Sequence, residues 1–165
     1  MARLERTDDG VTLRLAEEEV DVLASLAEGL AVRLADPRPD GDAGDELLAR
    51  LAPTASRGDA ELDAELRGLL REDLMTSRVA RLQDLATGLR GGVESGAYVR
   101  TLDRDEAMRV VEALNDLRIA LAATIGFDEI ARGDLPDEDP RQDAMRLMDA
   151  LAWLQGGLIE YVDGA

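Results

Sequence analysis

The sequence predicts a mainly α fold, a four- to five-helix bundle that follows a small N-terminal β-hairpin. Apolar residues recur at alternating spacings of three and four over most of the chain, which is the period of an amphipathic helix. Only the first fifteen residues alternate apolar and polar side chains as a half-buried strand does. The chain has 165 residues, of which 45% are hydrophobic, enough for one packed core. We therefore expect a single helical domain over residues 1–165, with the hairpin at 1–15 and the bundle at 16–162.

The hairpin and the first helix are predicted to follow each other directly. Two strand-like segments, at 3–7 and 11–15, flank an Asp-Asp-Gly turn. From residue 16 onward the period becomes helical, and the first helix is predicted to end at Asp36 because a residue that precedes proline avoids the α conformation. The apolar stripe of this helix consists of Val20, Leu23, Ala27, Leu30 and Leu34.

Two acidic loops, at 36–45 and 131–139, interrupt the helical part of the chain. Both contain proline and glycine and lack an apolar period, so we expect them to be exposed. A short helix near 46–51 and a long helix over 60–90 follow the first loop. The apolar stripe of the long helix changes phase near Met75, which predicts a bend there or a change of neighbour.

The last two helices are defined by signals at their ends. Asp103 and Glu106 have the spacing of a capping box for a helix over 104–125, and Gly126 is predicted to stop that helix. Asp139, which a proline follows, is predicted to be the N-cap of the final helix. This helix is expected to run to about residue 162.

The composition excludes most catalytic chemistry. The chain contains no cysteine and no histidine, and all 19 cationic residues are arginine. It therefore has no thiolate or imidazole ligand for a metal, no Cys or His nucleophile, no His base and no catalytic lysine. We expect a protein that is not an enzyme and that holds no cofactor and no metal.

The charge of the chain also narrows the choice of partners. A formal net charge of -17 disfavours nucleic acid and anionic membrane surfaces, because both are bound by arginine and lysine in excess. No apolar run approaches the roughly 18 residues that would predict a membrane-spanning helix. The first six residues lack an apolar signal core. We expect a cytoplasmic protein with no nucleic-acid and no membrane partner.

A polar cluster is predicted around Arg118. Helical spacing places this arginine on the apolar face of the third long helix, where a guanidinium needs carboxylate or carbonyl partners. An acid across the bundle, such as Glu65, is a candidate partner, and Asn115 and Asp116 belong to the same segment as Arg118. Two interpretations stay open: a structural ion pair across the bundle, or an arginine that binds an anionic ligand together with Asn115.

The final helix has an apolar face wider than one neighbouring helix would cover. It also carries the only tryptophan of the chain, with a Gly-Gly pair one turn further on. A large aromatic beside small residues is typical of an interface anchor. The residues predicted to form a homodimer interface are Leu151, Trp153, Leu154, Gly157 and Leu158. The alternative is that the wide face marks the central helix of the bundle.

Two segments make the sequence resemble the actinobacterial DUF2017 family, which is named for having no known function. The first reads Ala-Leu-Asn-Asp-Leu-Arg-Ile-Ala-Leu from Ala113 and is followed by Ile125-Gly126, and the second reads Leu-Ala-Trp-Leu-Gln from Leu151. A Glu-Leu-Arg triplet at Glu65 stands where the family has Glu-aromatic-Arg. The resemblance implies an N-terminal strand pair before the helices. The family's frequent gene neighbour, a Clp-protease adaptor, implies a regulatory role and a protein partner linked to Clp proteolysis.

These observations favour a non-catalytic, regulatory or protein–protein interaction module that acts as a homodimer. The first alternative is a sensor of an anionic small molecule, which Arg118 and Asn115 would bind. A second alternative is a transcriptional regulator. It would need an arginine-rich recognition helix, and the most basic stretch, 67–90, also carries Glu72, Asp73 and Asp84.

Overall fold

A computed structural model describes residues 2–35, 50–51, 60–126 and 139–164, without the side chains of 60–67 and 69–71. The strands in this part of the chain are β1 (Arg3–Thr7), β2 (Gly10–Ala16), β3 (Val93–Glu94) and β4 (Ala97–Leu102). The helices are α1 (Glu17–Ala35), α2 (Ala60–Gly91), α3 (Arg104–Ile125) and α4 (Gln142–Asp163). The mainly α class is thus confirmed, with four long helices in the described ranges.

The sheet is larger than the predicted hairpin. Its four strands are antiparallel in the order β1-β2-β4-β3, so the N-terminal hairpin is joined to a second one. Ser95 and Gly96, with φ of 52° and 79°, form the two-residue turn of this second hairpin. β2 is a central strand with one buried face. β1 pairs with one of its edges and β4 with the other, so the backbone N–H and C=O groups of both edges have partners.

The start of β2 lies against the end of β4 at Gly10. A Cβ atom on Gly10 would lie 2.2 Å from the carbonyl oxygen of Leu102, which is closer than any side chain permits. Glycine at this position is therefore required by the approach of two backbones. The register from Val11 opposite Leu102 to Ala16 opposite Ala97 follows from this junction.

The four helices pack in two pairs, α1 against α2 and α3 against α4. The predicted stripe of α1 is confirmed, since its five residues are all buried. α2 is one uninterrupted helix through Met75, whose side chain is buried. The predicted short helix overlaps the described residues only at 50–51, which are helical, and the acidic loops at 36–45 and 131–139 lie outside them except for Asp139.

The ends of α3 are confirmed and the start of α4 is corrected. Asp103 and Glu106 form a reciprocal capping box, and Gly126 ends α3 in the left-handed conformation. α4 begins at Gln142 with Arg141 as its N-cap, two residues later than predicted. The reason is that Asp139 starts a separate turn, in which its carboxylate accepts hydrogen bonds from the backbone and guanidinium of Arg141.

Candidate functional site

The most deeply buried charge in the described part of the chain is Asp116 on α3. Its side chain is 2% exposed and accepts hydrogen bonds from two arginines of α2. Arg78 bonds one carboxylate oxygen through Nη1, and Arg81 lies 3.2 Å from the other through Nη2. Arg81 also pairs with Glu112, one turn before Asp116 on α3. The antiparallel packing of α2 and α3 therefore places two basic residues directly against two acidic ones.

Arg78 joins this cluster to a distant part of the chain. Its Nη2 donates a 3.1 Å hydrogen bond to the carbonyl oxygen of Leu51, a fully buried residue. Burial lowers the pKa of Arg78, and the neighbouring Arg81 lowers it further, while Glu112 acts in the opposite direction. A buried ion pair of this kind is costly to break, because removing one member leaves the other charge without compensation.

Arg118 points away from this cluster. Its Nη1 donates a 2.6 Å hydrogen bond to Oε1 of Gln155 on α4, and the amide nitrogen of Gln155 donates a 3.3 Å bond to the carbonyl oxygen of Val111. Gln155 is 6% exposed, so this contact lies inside the α3–α4 interface. Arg118 and Asp116 are two residues apart on one helix and therefore face different neighbours.

The structure corrects the predicted polar cluster. Among the described residues, the side-chain hydrogen-bond partner of Arg118 is the amide oxygen of Gln155, which was not predicted. The side chain of Glu65 lies outside the described residues, so its pairing with Arg118 stays a prediction. Asn115 is exposed. The burial of Asp116 and the roles of Arg78 and Arg81 were missed, because α2 has no sustained apolar stripe that would mark these arginines as facing inward.

The predicted interface is also corrected in part. Leu151, Leu154 and Leu158 are 1%, 3% and 0% exposed in the single chain, so they belong to its own core. Gly157 lies under β1, since a Cβ there would be 2.5 Å from Cδ1 of Leu4. The wide face of α4 is thus covered by α3 on one side and by the first strand on another. Of the five predicted residues, Trp153 alone is largely exposed, at 52%.

Several cavities open on the surface of the described part of the chain, and two of them lie between helices. A cleft of about 500 Å³ lies between α2, β4 and α3, and an apolar groove of about 280 Å³ lies between α1 and α4. Arg118 lines neither of them. Among the described residues, no three acidic side chains are grouped closely enough to hold a metal ion. In the same residues we find no helix with the length and hydropathy of a membrane span.

The fold and these sites define a small, mainly α protein, in which a four-stranded antiparallel sheet accompanies four long helices and an arginine–aspartate cluster joins α2 to α3. A family model described as a domain of unknown function, DUF2017, matches residues 1–162. The chain belongs to this family, which confirms the resemblance of its sequence. Searches among curated proteins and among solved structures gave no match.

Proposed function

We propose that the protein is a non-catalytic interaction module that works as a homodimer, paired through the exposed face of α4. The observation that carries this proposal is Trp153, which leaves 52% of its surface in water in the single chain. A tryptophan at the centre of an interface contributes more binding energy than almost any other residue. Its position at the middle of a long helix makes it accessible to a second helix.

The surroundings of Trp153 permit a close approach. Helical geometry places Arg146 and Glu160 within about 20° of Trp153 around the axis of α4, the exposed Asp149 at about 40°, and Ala150 and Gly156 at about 60°. A Cβ built on Gly156 meets nothing within 4 Å, so this side of the helix is open. Small residues one turn before and one turn after a large aromatic allow two helices to lie near each other around it.

A two-fold axis through Trp153 gives a self-complementary pairing. When two α4 helices pack antiparallel about this residue, Ala150 of one copy lies opposite Gly156 of the other. The same geometry places Arg146 opposite Glu160, so opposite charges meet at both ends of the contact. Arg146 now pairs at 3.2 Å with Asp143, but both side chains are highly exposed and such a pair contributes little. It can therefore be exchanged for the contact between copies.

The apolar groove beside this face supplies further area. Leu147 and Ala150 form its α4 wall, and Val22, which is 47% exposed, lies on its α1 wall. The groove thus extends the apolar surface from Trp153 towards α1. A stable dimer needs about 800 Å² of surface from each copy, more than one helix face provides.

The test is the mass of the protein in solution, measured by light scattering at tens of micromolar. We expect a dimer for the wild type and a monomer for Trp153→Ala. Arg146→Glu and Glu160→Arg should each weaken pairing, and the double variant should restore it because the charges are exchanged. Met108→Ala, which removes another exposed apolar side chain, is the matched control and should stay dimeric. A monomeric wild type, or single charge reversals without effect, would show that the proposal is wrong.

The regulatory role and the partner linked to Clp proteolysis stay predictions, because the family itself is described as one of unknown function. The homodimer proposal gives them a direct test. If a Clp component binds the dimer, it should be captured by the wild type and by Met108→Ala, and lost with the monomeric Trp153→Ala variant. If the monomeric variant captures the Clp component as well as the wild type does, binding of this partner does not depend on dimerisation.

A further inference from the structure

The cleft between α2, β4 and α3 has an apolar floor and charged walls. Its volume, about 500 Å³, lies in the range of sites that hold small ligands. Leu89, Leu102 and Tyr98 are buried beneath it, at 2%, 2% and 4% exposure. Leu85 and Val110 complete the floor and are half-buried.

Oppositely charged residues of α2 and α3 pair at successive turns of the two helices, and the series extends to this cleft. The first pair is Arg78 with Asp116, and the second is Arg81 with Glu112. A further step of three residues along each helix reaches Asp84 on α2 and Arg109 on α3. At this third position the signs are exchanged, with the acid on α2 and the arginine on α3, and both residues line the cleft.

Asp84 and Arg109 do not form an ion pair with each other, unlike the residues of the first two pairs. Within the described residues, Asp84 and Arg109 form no hydrogen bond or ion pair with each other or with any neighbour, and both are exposed. Tyr98, Arg100 and Leu102 of β4 line the same cleft. The walls therefore present one negative and one positive charge that have no partner.

The other ionic groups of the cleft are already engaged. Arg100 donates a 2.5 Å hydrogen bond to Glu106, which also accepts from the backbone N–H of Asp103. Arg81 bonds both Glu112 and Asp116. Tyr98 is neutral, since burial raises its pKa and the nearby Arg100 offsets only part of that rise. A ligand that complements the cleft must therefore carry one cation and one anion and must offer an apolar group to the floor.

We propose that this cleft binds a free α-amino acid with an aliphatic side chain. Its ammonium group would bind the carboxylate of Asp84, and its carboxylate would accept paired hydrogen bonds from the guanidinium of Arg109. The side chain would lie on the floor formed by Leu85, Leu89 and Val110. This site is separate from the exposed face of α4, so it does not depend on the proposed homodimer.

The ligand itself provides the first test, by calorimetric titration of the full chain. L-leucine carries both charges, leucinamide carries the cation alone, and 4-methylpentanoate carries the anion alone. We expect saturable binding of leucine that is at least tenfold tighter than binding of either analogue, because each analogue lacks one of the two groups that form charged hydrogen bonds. Glycine, which lacks the side chain, should bind at least tenfold more weakly than leucine.

Two variants provide the second test. Asp84→Asn and Arg109→Gln should each weaken leucine binding about tenfold, and Asp84→Asn should leave 4-methylpentanoate unchanged while Arg109→Gln abolishes it. The matched controls, Asp73→Asn and Arg104→Gln, remove exposed charges of the same two helices outside the cleft and should bind leucine normally. If a variant fails to fold, the proposal is still tested by the comparison of leucine with its single-charge analogues on the wild-type protein. No saturable binding of leucine, or equal binding of leucine and its single-charge analogues, would overturn the proposal.

Discussion

Replacement of Arg78 tests the claim that the arginine–aspartate cluster holds α2 and α3 together. Arg78→Met keeps the bulk of the side chain but removes the charge that faces Asp116, whose side chain is 2% exposed. Removing one member of a buried pair costs about 3–5 kcal/mol. We expect about 3 kcal/mol, the lower end, because Arg81 stays 3.2 Å from the other carboxylate oxygen. The lost hydrogen bond to the carbonyl oxygen of Leu51 acts in the same direction.

The assay is unfolding by heat and by urea, followed by far-ultraviolet circular dichroism. For a chain of this size a loss of 3 kcal/mol lowers the melting temperature by about 6–12 °C. The double variant Arg78→Met with Asp116→Leu should recover most of the loss, since it leaves no buried charge at this position. Glu112→Gln, which removes a half-exposed carboxylate from the same cluster, should cost no more than about 1 kcal/mol. An Arg78→Met protein as stable as the wild type would refute the reasoning.

Two further predictions concern the sheet and the start of α4. Gly10→Ala should destabilise the protein by at least about 2 kcal/mol in urea unfolding, because the new Cβ would meet the Leu102 carbonyl oxygen, a backbone atom that no side-chain rotation can move; an unchanged midpoint would contradict the close approach. The Arg141 guanidinium holds the pKa of Asp139 at about 2, so this carboxylate favours the folded state above its unfolded pKa of about 3.9, and the effect is lost as the pH falls towards 2. In Arg141→Gln, a carboxyl NMR titration should show the pKa of Asp139 raised towards its ordinary value, with the backbone N–H of residue 141 keeping part of the shift; an unchanged pKa would show that the guanidinium does not cause it.

The helices could be predicted because their signals are local. The stripe of α1 and the capping box at Asp103 each occupy a few turns of one segment, and the structure has both. The second hairpin could not be found in the same way. Its turn, Ser95-Gly96, is short, and β4 is stabilised by pairing with β2, which lies far away in the sequence.

The partners of buried polar residues could not be predicted from periodicity. The helical face of Arg118 indicates that it is half-buried, but nothing local distinguishes Gln155 from Glu65 as its partner. Asp116 likewise depends on two arginines of another helix. The width of the apolar face of α4 is visible in the sequence. Part of this face is covered by Leu4 of β1, a contact that exists only once the sheet has packed on the helix.

The pairing of β2 with β4 has a kinetic consequence. The whole of α1 and α2 lies between these strands in the sequence, so their registration closes a long loop of chain, and the entropy of that closure opposes early pairing. The two hairpins are local and form within microseconds, as do the helices. The slow step in folding is then the docking of α1 on α2, which brings Val11 and Leu102 into register. The strand junction at Gly10 is a late event, and substitutions there will accelerate unfolding more than they retard folding.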